Sequence, residues 1–249
     1  MKRTTVLMAL CSAVLIGAFL AAQDAGGPAG QFPILTGPYL GQTPPGQLPQ
    51  LFAPGIVSTG MDDLNAIFNA DATEFFFTVK LPVRGRHVML TMKQAGGRWS
   101  APTVLVFSGQ YNDADPALAP DGKTLYFAST RPLAAAAPEK DWDVWAVDRA
   151  AGGWGTPRRL HAPVNSPAME LYPSIAGDGT LYFSSSRAVG TKAGGIFRAA
   201  PAAPLYPHAA VFDERIASEY GGGDVHWVDA AVIHALKGTS LRESTLNTD

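Results

Sequence analysis

An all-β fold assembled from repeated four-stranded units follows from three features of the sequence. The first is a near-identical pair of segments: DADPALAPDGKTLYF over Asp113 to Phe127 returns as ELYPSIAGDGTLYF over Glu170 to Phe183, with Pro116 and Pro173 57 residues apart. The second is a frame of two glycines, a tryptophan and a proline around Trp99 and Trp154, 55 residues apart. The third is that the copies break into short β-branched and aromatic runs punctuated by Gly, Pro, Asp and Asn, without helices between them. A period of this size marks stacked supersecondary units, and four-stranded units of this length predict a β-propeller in which each unit is one blade.

The chain opens with the basic Met1-Lys2-Arg3, an apolar run from Val6 to Ala22 and small residues before Gln23-Asp24. Residues 1–23 therefore read as a secretory signal, which predicts a periplasmic or extracellular protein. The alternative is an uncleaved anchor, the one route by which this chain would meet a membrane. Cys11 is the only cysteine and follows Leu10, where a lipidation signal needs a small residue, so the mature chain has neither disulfides nor thiolate metal sites. Cleavage leaves 17 basic and 21 acidic residues, a net charge of −4 that excludes nucleic acid as a partner. With 47% hydrophobic and 16% charged residues the chain is globular.

Residues 24–51 form a Pro/Gly-rich lead that can hold neither a helix nor a regular ladder. It is either a spacer or, through Phe32, Ile34, Leu35, Tyr39 and Leu40, an arm laid on the domain. Residues 52–237 carry the repeats. The second unit is the clearest: ADPALAP, a turn at Asp121-Gly122, and TLYFAST make two strands and a type I turn. DWDVWAVDR (Asp141 to Arg149) is a third strand with both faces covered, and GGWGTPRRL adds a short edge strand at Pro157. The first unit repeats this weakly through Phe68 to Lys80, His87 to Lys93 and Gly96 to Leu105. The third does so through Tyr172 to Arg187, Gly194 to Ala200 and Ala210 to Tyr220.

The wording D-P-x-x-x-P-D-G-K-x-L-Y-F-x-S-x-R, read at Asp115, Pro116, Pro120, Asp121, Gly122, Leu125, Tyr126, Phe127, Ser129 and Arg131, resembles the WD40-like repeats of TolB-type propellers. Tyr39 to Ser58 and Asp224 to Lys237 resemble the opening and closing segments of exported propellers without assigned activity. That resemblance implies three complete blades and a partial fourth, because Asp224 to Asp229 aligns with the third strand of a blade and its first two strands are missing. The chain thus looks internally shortened. Either Leu51 to Val57 and Asp224 to Asp229 build a minimal fourth blade, or the ring stays open and oligomerises or aggregates through its edges. Asp229 to Leu236 predicts a short C-terminal helix capped by Asp229 and stopped by Gly238, before a polar tail over 238–249.

Candidate chemistry is sparse. His87, His161, His208, His226 and His234 occupy no metal-binding frame, and no nucleotide or nucleophile motif occurs, so neither a metal, a cofactor nor a catalytic residue is predicted. Asp141, Asp143, Asp113 and Asp115 supply carboxylate pairs of the kind a glycosidase or lyase uses, whereas Asp121 and Asp178 belong to turns. The repeated Ser-x-Arg sets Arg131 and Arg187 on one rim, where they can clamp an anion or pair with an acid of the next blade such as Glu170. Trp99 and Trp154 recur and are expected to pack between blades, which leaves Trp142 as the exposed aromatic. The predicted binding residues are Arg131, Trp142, Asp143 and Arg187. They belong to a non-catalytic interaction module whose rim loops take a protein or envelope component, glycans included. A propeller-type carbohydrate-active enzyme and a truncated remnant without function are the alternatives.

Overall fold

Pro-Asp-Gly and related turns close the first hairpin of each repeat, and the segment after each hairpin adds to the same sheet. The computed structural model describes residues 32–46, 48–82, 85–134, 137–189, 192–200, 210–212 and 226–227. Strand β1 (Gln50–Leu51) precedes the first blade, which comprises β2 (Asp62–Phe68), β3 (Glu74–Lys80), β4 (His87–Ala95) and an outer strand broken into β5 (Arg98–Trp99) and β6 (Thr103–Val104). The second blade repeats this pattern as β7 (Asp113–Leu118), β8 (Thr124–Ser129), β9 (Asp143–Ala150), β10 (Gly153–Trp154) and β11 (Arg158–Arg159). The third is β12 (Glu170–Ile175), β13 (Leu181–Val189), β14 (Lys192–Ala199) and β15 (Ala210–Phe212). All neighbours pair antiparallel, in chain order within each blade. The outer strands of the first two blades break at Pro102 and Pro157, which have no amide hydrogen to give to the ladder.

Among the described residues the fourth unit consists of one pair. β1 is antiparallel to β16 (His226–Trp227), with Gln50 opposite Trp227 and Leu51 opposite His226. The chain segments expected to make a minimal fourth blade therefore meet. The signal segment 1–23, the helix at 229–236 and the tail at 238–249 lie outside the described residues. No helix among the described residues is long and apolar enough to cross a membrane.

Alternation along each strand sets the packing between blades. Phe75, Phe77 and Val79 of β3 face the lead segment and the turn that follows it, where Leu40, Phe52 and Val57 bury against them, while Phe76 turns to the second blade with Met89. Leu125, Phe127, Trp145 and Val147 meet Phe76 from the other side. Val144 and Ala146 face onward to Leu181, Phe183 and Phe197 of the third blade. Each large apolar side chain so buried contributes about 1.5–3 kcal/mol. Trp154 packs edge-on to Phe76 at 6.0 Å, between blades as its recurrence predicts.

The lead segment is an arm over its described residues. Thr36 bridges to Arg98, the Trp99 amide donates to the Leu35 carbonyl at 2.9 Å, and Trp99 Nε1 and Gln94 Nε2 donate to the Gly37 carbonyl at 2.8 and 2.7 Å. Ile34 points away and is 73% exposed. The hairpin turns behave as their residues dictate. In the second blade the Gly122 amide donates to the Ala119 carbonyl at 2.8 Å, and Gly122 sits at φ 69°, where a side chain is strained. Gly122→Ala is expected to lower stability by about 1 kcal/mol in urea unfolding, although open space surrounds the new methyl.

Candidate functional site

The register of the first hairpin explains why Ser-x-Arg recurs. Ser129 lies opposite Asp113, and Ser185 opposite Glu170. Ser129 Oγ donates to Asp113 Oδ1 at 2.6 Å, Arg131 Nη2 donates to the same oxygen at 2.6 Å, and Arg131 Nε donates to Ser129 Oγ at 3.0 Å. Arg131 Nη2 also reaches the Phe107 carbonyl in the connector from the first blade, at 3.1 Å. The third blade repeats the cluster. Ser185 Oγ and Arg187 Nη2 donate to Glu170 Oε1 at 2.7 and 3.0 Å, and Arg187 Nη1 donates to the Pro163 carbonyl at 2.7 Å, with Val164 as a further acceptor for Nη2. Ser166 closes the ring around Glu170 through its amide and hydroxyl, at 3.0 and 2.6 Å.

Each arginine thus pairs with the acid of its own blade, not of the next one. The correction has a simple cause: two residues past the serine the guanidinium curls back over the hairpin, where the first-strand acid stands directly across. The guanidiniums also lie against aromatic rings, Arg131 5.2 Å from Phe127 and Arg187 4.8 Å from Phe197. Burial pushes the Asp113 carboxyl above its usual range, against the opposing pull of Arg131 and Ser129. In the first blade Asp63 holds the acid position, but Val79 stands opposite it and Leu81 replaces the arginine. There the Thr59 amide and hydroxyl donate to Asp63 at 2.8 and 3.2 Å.

Asp143 and Trp142 stand on the rim where third strands begin. Asp143 is fully buried and held by both arms of Arg159, Nε to Oδ2 and Nη2 to Oδ1 at 2.7 Å each, with Lys140 Nζ at 3.2 Å. Asp141 lies 3.7 Å from Lys140. Trp142 is half-buried, edge-on to His87 with ring centres 5.3 Å apart. Its carbonyl accepts from the Glu170 amide at 2.8 Å, which joins the second blade to the third.

Around Trp142 the rim is knitted across blades. Arg86 Nη2 donates to Glu139 Oε1 at 3.1 Å, and Thr130 Oγ1 and Asn112 Nδ2 donate to Glu139 Oε2 at 2.6 and 3.2 Å. The His87 amide donates to Asn112 Oδ1 at 3.1 Å. Burial raises the Glu139 carboxyl, yet the bonds from Thr130 and Arg86 outweigh it and hold the group below its usual range. Burial holds the His87 imidazole below its usual value, against the opposing bond to Asn112.

Asp121 and Asp178 cap their turns, accepting from the amides of Lys123 and Thr180 at 3.0 and 2.9 Å. Among the described residues no group of three or more His, Cys, Asp or Glu converges to hold a metal. Two features go beyond what the sequence predicts. Glu74 and Arg149 join the first two blades at the opposite rim by a bidentate pair, with Arg149 over the Trp154 ring at 4.0 Å. Asp115 is 3% exposed, with its carboxyl pushed up to about 6 by burial, against one opposing bond from the Tyr172 amide. Its signal in the sequence is a second acid, two residues after Asp113, in a first strand whose other residues are apolar.

No protein-family model and no curated protein matches the sequence. Among solved structures the chain is similar to the putative TolB from Agrobacterium tumefaciens, at 19% identity over 55% of this chain and 42% of that one, with a TM-score of 0.39. It is also similar to a Mycobacterium tuberculosis puromycin-hydrolyzing peptidase, at 16% identity over 62% of this chain and 24% of that one, with a TM-score of 0.40. The match spans less than half the length of either protein. The fold assignment rests on the sheets themselves: the protein is an all-β propeller, and its described residues form three four-stranded blades and a further two-stranded pair.

Proposed function

We propose that the protein is an exported interaction module that binds a protein or cell-envelope component through the rim loops around Trp142. The observation that carries this reading is the polar network joining Arg86, Asn112, Thr130 and Glu139 from two blades beside a half-buried tryptophan. Such a network holds loop side chains on a rigid scaffold before a partner arrives, which reduces the ordering entropy lost on binding. Aromatic and arginine side chains are the usual anchors of such surfaces. Export rests on the sequence of residues 1–23.

The test places a photo-cross-linking amino acid at Leu133, 61% exposed on the Trp142 rim, or at the exposed Lys123 on the opposite rim, in cells that export the protein. Adducts from position 133 and none from 123 are expected. Equal adducts from both, or none from either, overturn the reading. Arg86→Ala is expected to reduce the adduct while changing stability by less than about 1 kcal/mol, because the Arg86–Glu139 pair is partly exposed at 27% and 36%.

A further inference from the structure

The first strands β2, β7 and β12 stand side by side, and each slips register at the same place: between Leu64 and Ala66, between Ala114 and Ala117, and between Leu171 and Ser174. A bulge re-aims the side chain at the slip. The residues so placed are Asn65, Asp115 and Tyr172, one from each blade. Asp115 and Tyr172 adopt φ 60° and 53°, a conformation that non-glycine residues occupy only when their surroundings enforce it. The enforcing contacts run between blades: the Asp115 amide donates to Thr78 Oγ1 at 3.2 Å, and the Tyr172 amide donates to Asp115 Oδ2 at 3.3 Å.

That leaves one carboxylate oxygen. Asp115 Oδ1 accepts no hydrogen bond among the described residues and keeps a contact with solvent, although the residue is 3% exposed. Charge on these strands is one-sided. They carry Asp62, Asp63, Asp113, Asp115 and Glu170 and no Lys, Arg or His. Asp62, Asp113 and Glu170 are paired with Lys80, Arg131 and Arg187, and Asp63 is held by Thr59. Unlike the three paired acids, Asp115 has no cation within reach among the described residues. At the corresponding slip of β2 Asn65 is exposed, and Tyr172, whose amide bonds Asp115, is 40% exposed.

We propose that this inner wall is a binding site for an alkylammonium or guanidinium group, with Asp115 Oδ1 as the counter-charge and Tyr172 and Asn65 as flanking contacts. A cation is the ligand that the wall selects: it compensates the Asp115 carboxylate, which has no cation within reach among the described residues, whereas an anion would be repelled by it. A neutral donor could bond Oδ1, but it would leave the buried charge uncompensated. An aromatic side chain next to the carboxylate adds attraction for the same class of ligand. The cation is carried either by a lysine or arginine side chain of a partner or by a free amine. The site uses none of Arg86, Asn112, Thr130, Glu139 and Trp142, so either proposal can fail without the other.

The full chain is titrated calorimetrically at pH 7.5 and low salt with cadaverine, argininamide, the tripeptide Gly-Arg-Gly acetylated and amidated at its ends, and its neutral, equally blocked citrulline counterpart. Saturable binding of the cationic probes is expected, and none of the citrulline peptide. Tighter binding of the tripeptide than of argininamide and cadaverine identifies a side chain as the source, and the reverse order a free amine. Asp115→Asn should weaken binding at least about ten-fold, and Tyr172→Leu roughly three- to five-fold. The tyrosine variant keeps the test open should the asparagine variant fold poorly. No saturable binding of any cationic probe, equal binding of the citrulline peptide, or full affinity in Asp115→Asn overturns the proposal.

Discussion

Asp115→Asn is expected to stabilise the folded protein at pH 7.5 by up to about 3 kcal/mol, raising the midpoint of thermal unfolding by roughly 5–10 °C. Burial lifts the Asp115 carboxyl from 3.8 in the unfolded chain to about 6 in the fold, and every ten-fold gain in proton affinity is worth about 1.4 kcal/mol. Asparagine has the same shape and keeps an oxygen to accept from the Tyr172 amide, but carries no charge to desolvate.

The gain has a pH signature. Above about pH 6 the carboxyl is ionised in both states, and the folded state bears the whole desolvation penalty. Between about 6 and 3.8 the folded chain holds a proton that the unfolded chain has lost, so stability rises as the pH falls; below 3.8 both states are protonated and the penalty is gone. His87 acts in the opposite sense over an overlapping range. Its folded value lies below 6.5, so the unfolded chain takes up the proton first and stability falls as pH drops. The profile of the wild-type chain therefore mixes the two, and the difference between wild type and Asp115→Asn isolates the carboxyl. Urea unfolding at pH 7.5, 6, 5 and 4 should show that difference shrinking toward zero; a difference that does not change with pH would overturn the assignment.

The hairpins are legible in the sequence because their chemistry is local. Asp121-Gly122 and Asp178-Gly179 specify turns within a few residues, and the aromatic strands after them can adopt little else. The first strand of the first blade is harder to see. Asp62-Asp63-Leu64-Asn65 has no alternation, and its strand character comes from pairing with β3, which no short window contains. The docked arm is illegible for the same reason: Gly37 becomes an acceptor only when Trp99, 62 residues later, arrives beside it. At the site, Ser-x-Arg is visible as a repeat, but its partner can be chosen only once the register is known, since Asp113 of the same blade precedes Arg131 and Glu170 of the next blade follows it. Asp115 sits within a turn-forming phrase. Its left-handed backbone and its bonds to Thr78 and Tyr172 arise from three blades meeting, and they exist only in the assembled fold.

Arg131→Met is expected to lower stability by about 3–5 kcal/mol, because it leaves the Asp113 carboxylate buried without its cation. Asp113 is fully buried, and its Oδ2 has no hydrogen-bond partner among the described residues, so the pair is held in a site where desolvation already outweighs attraction. Removing the whole cluster should then be mild. Asp113→Leu with Ser129→Ala and Arg131→Met exchanges the buried ion pair for apolar contact with Phe127 and Trp145, and it is expected to recover most of the loss. The first blade offers a partial precedent within the same chain: Val79 and Leu81 stand where the serine and arginine would be, and its acid, Asp63, is held by Thr59 instead. Urea unfolding of the single and triple variants distinguishes the two roles open to Arg131. A large loss in the single variant, restored in the triple, marks an internal clamp that ties the Phe107 connector to its blade. An unchanged transition in Arg131→Met would mean that the guanidinium contributes nothing to the fold and is held on the rim for a ligand, and the clamp assignment would have to be withdrawn for Arg187 as well.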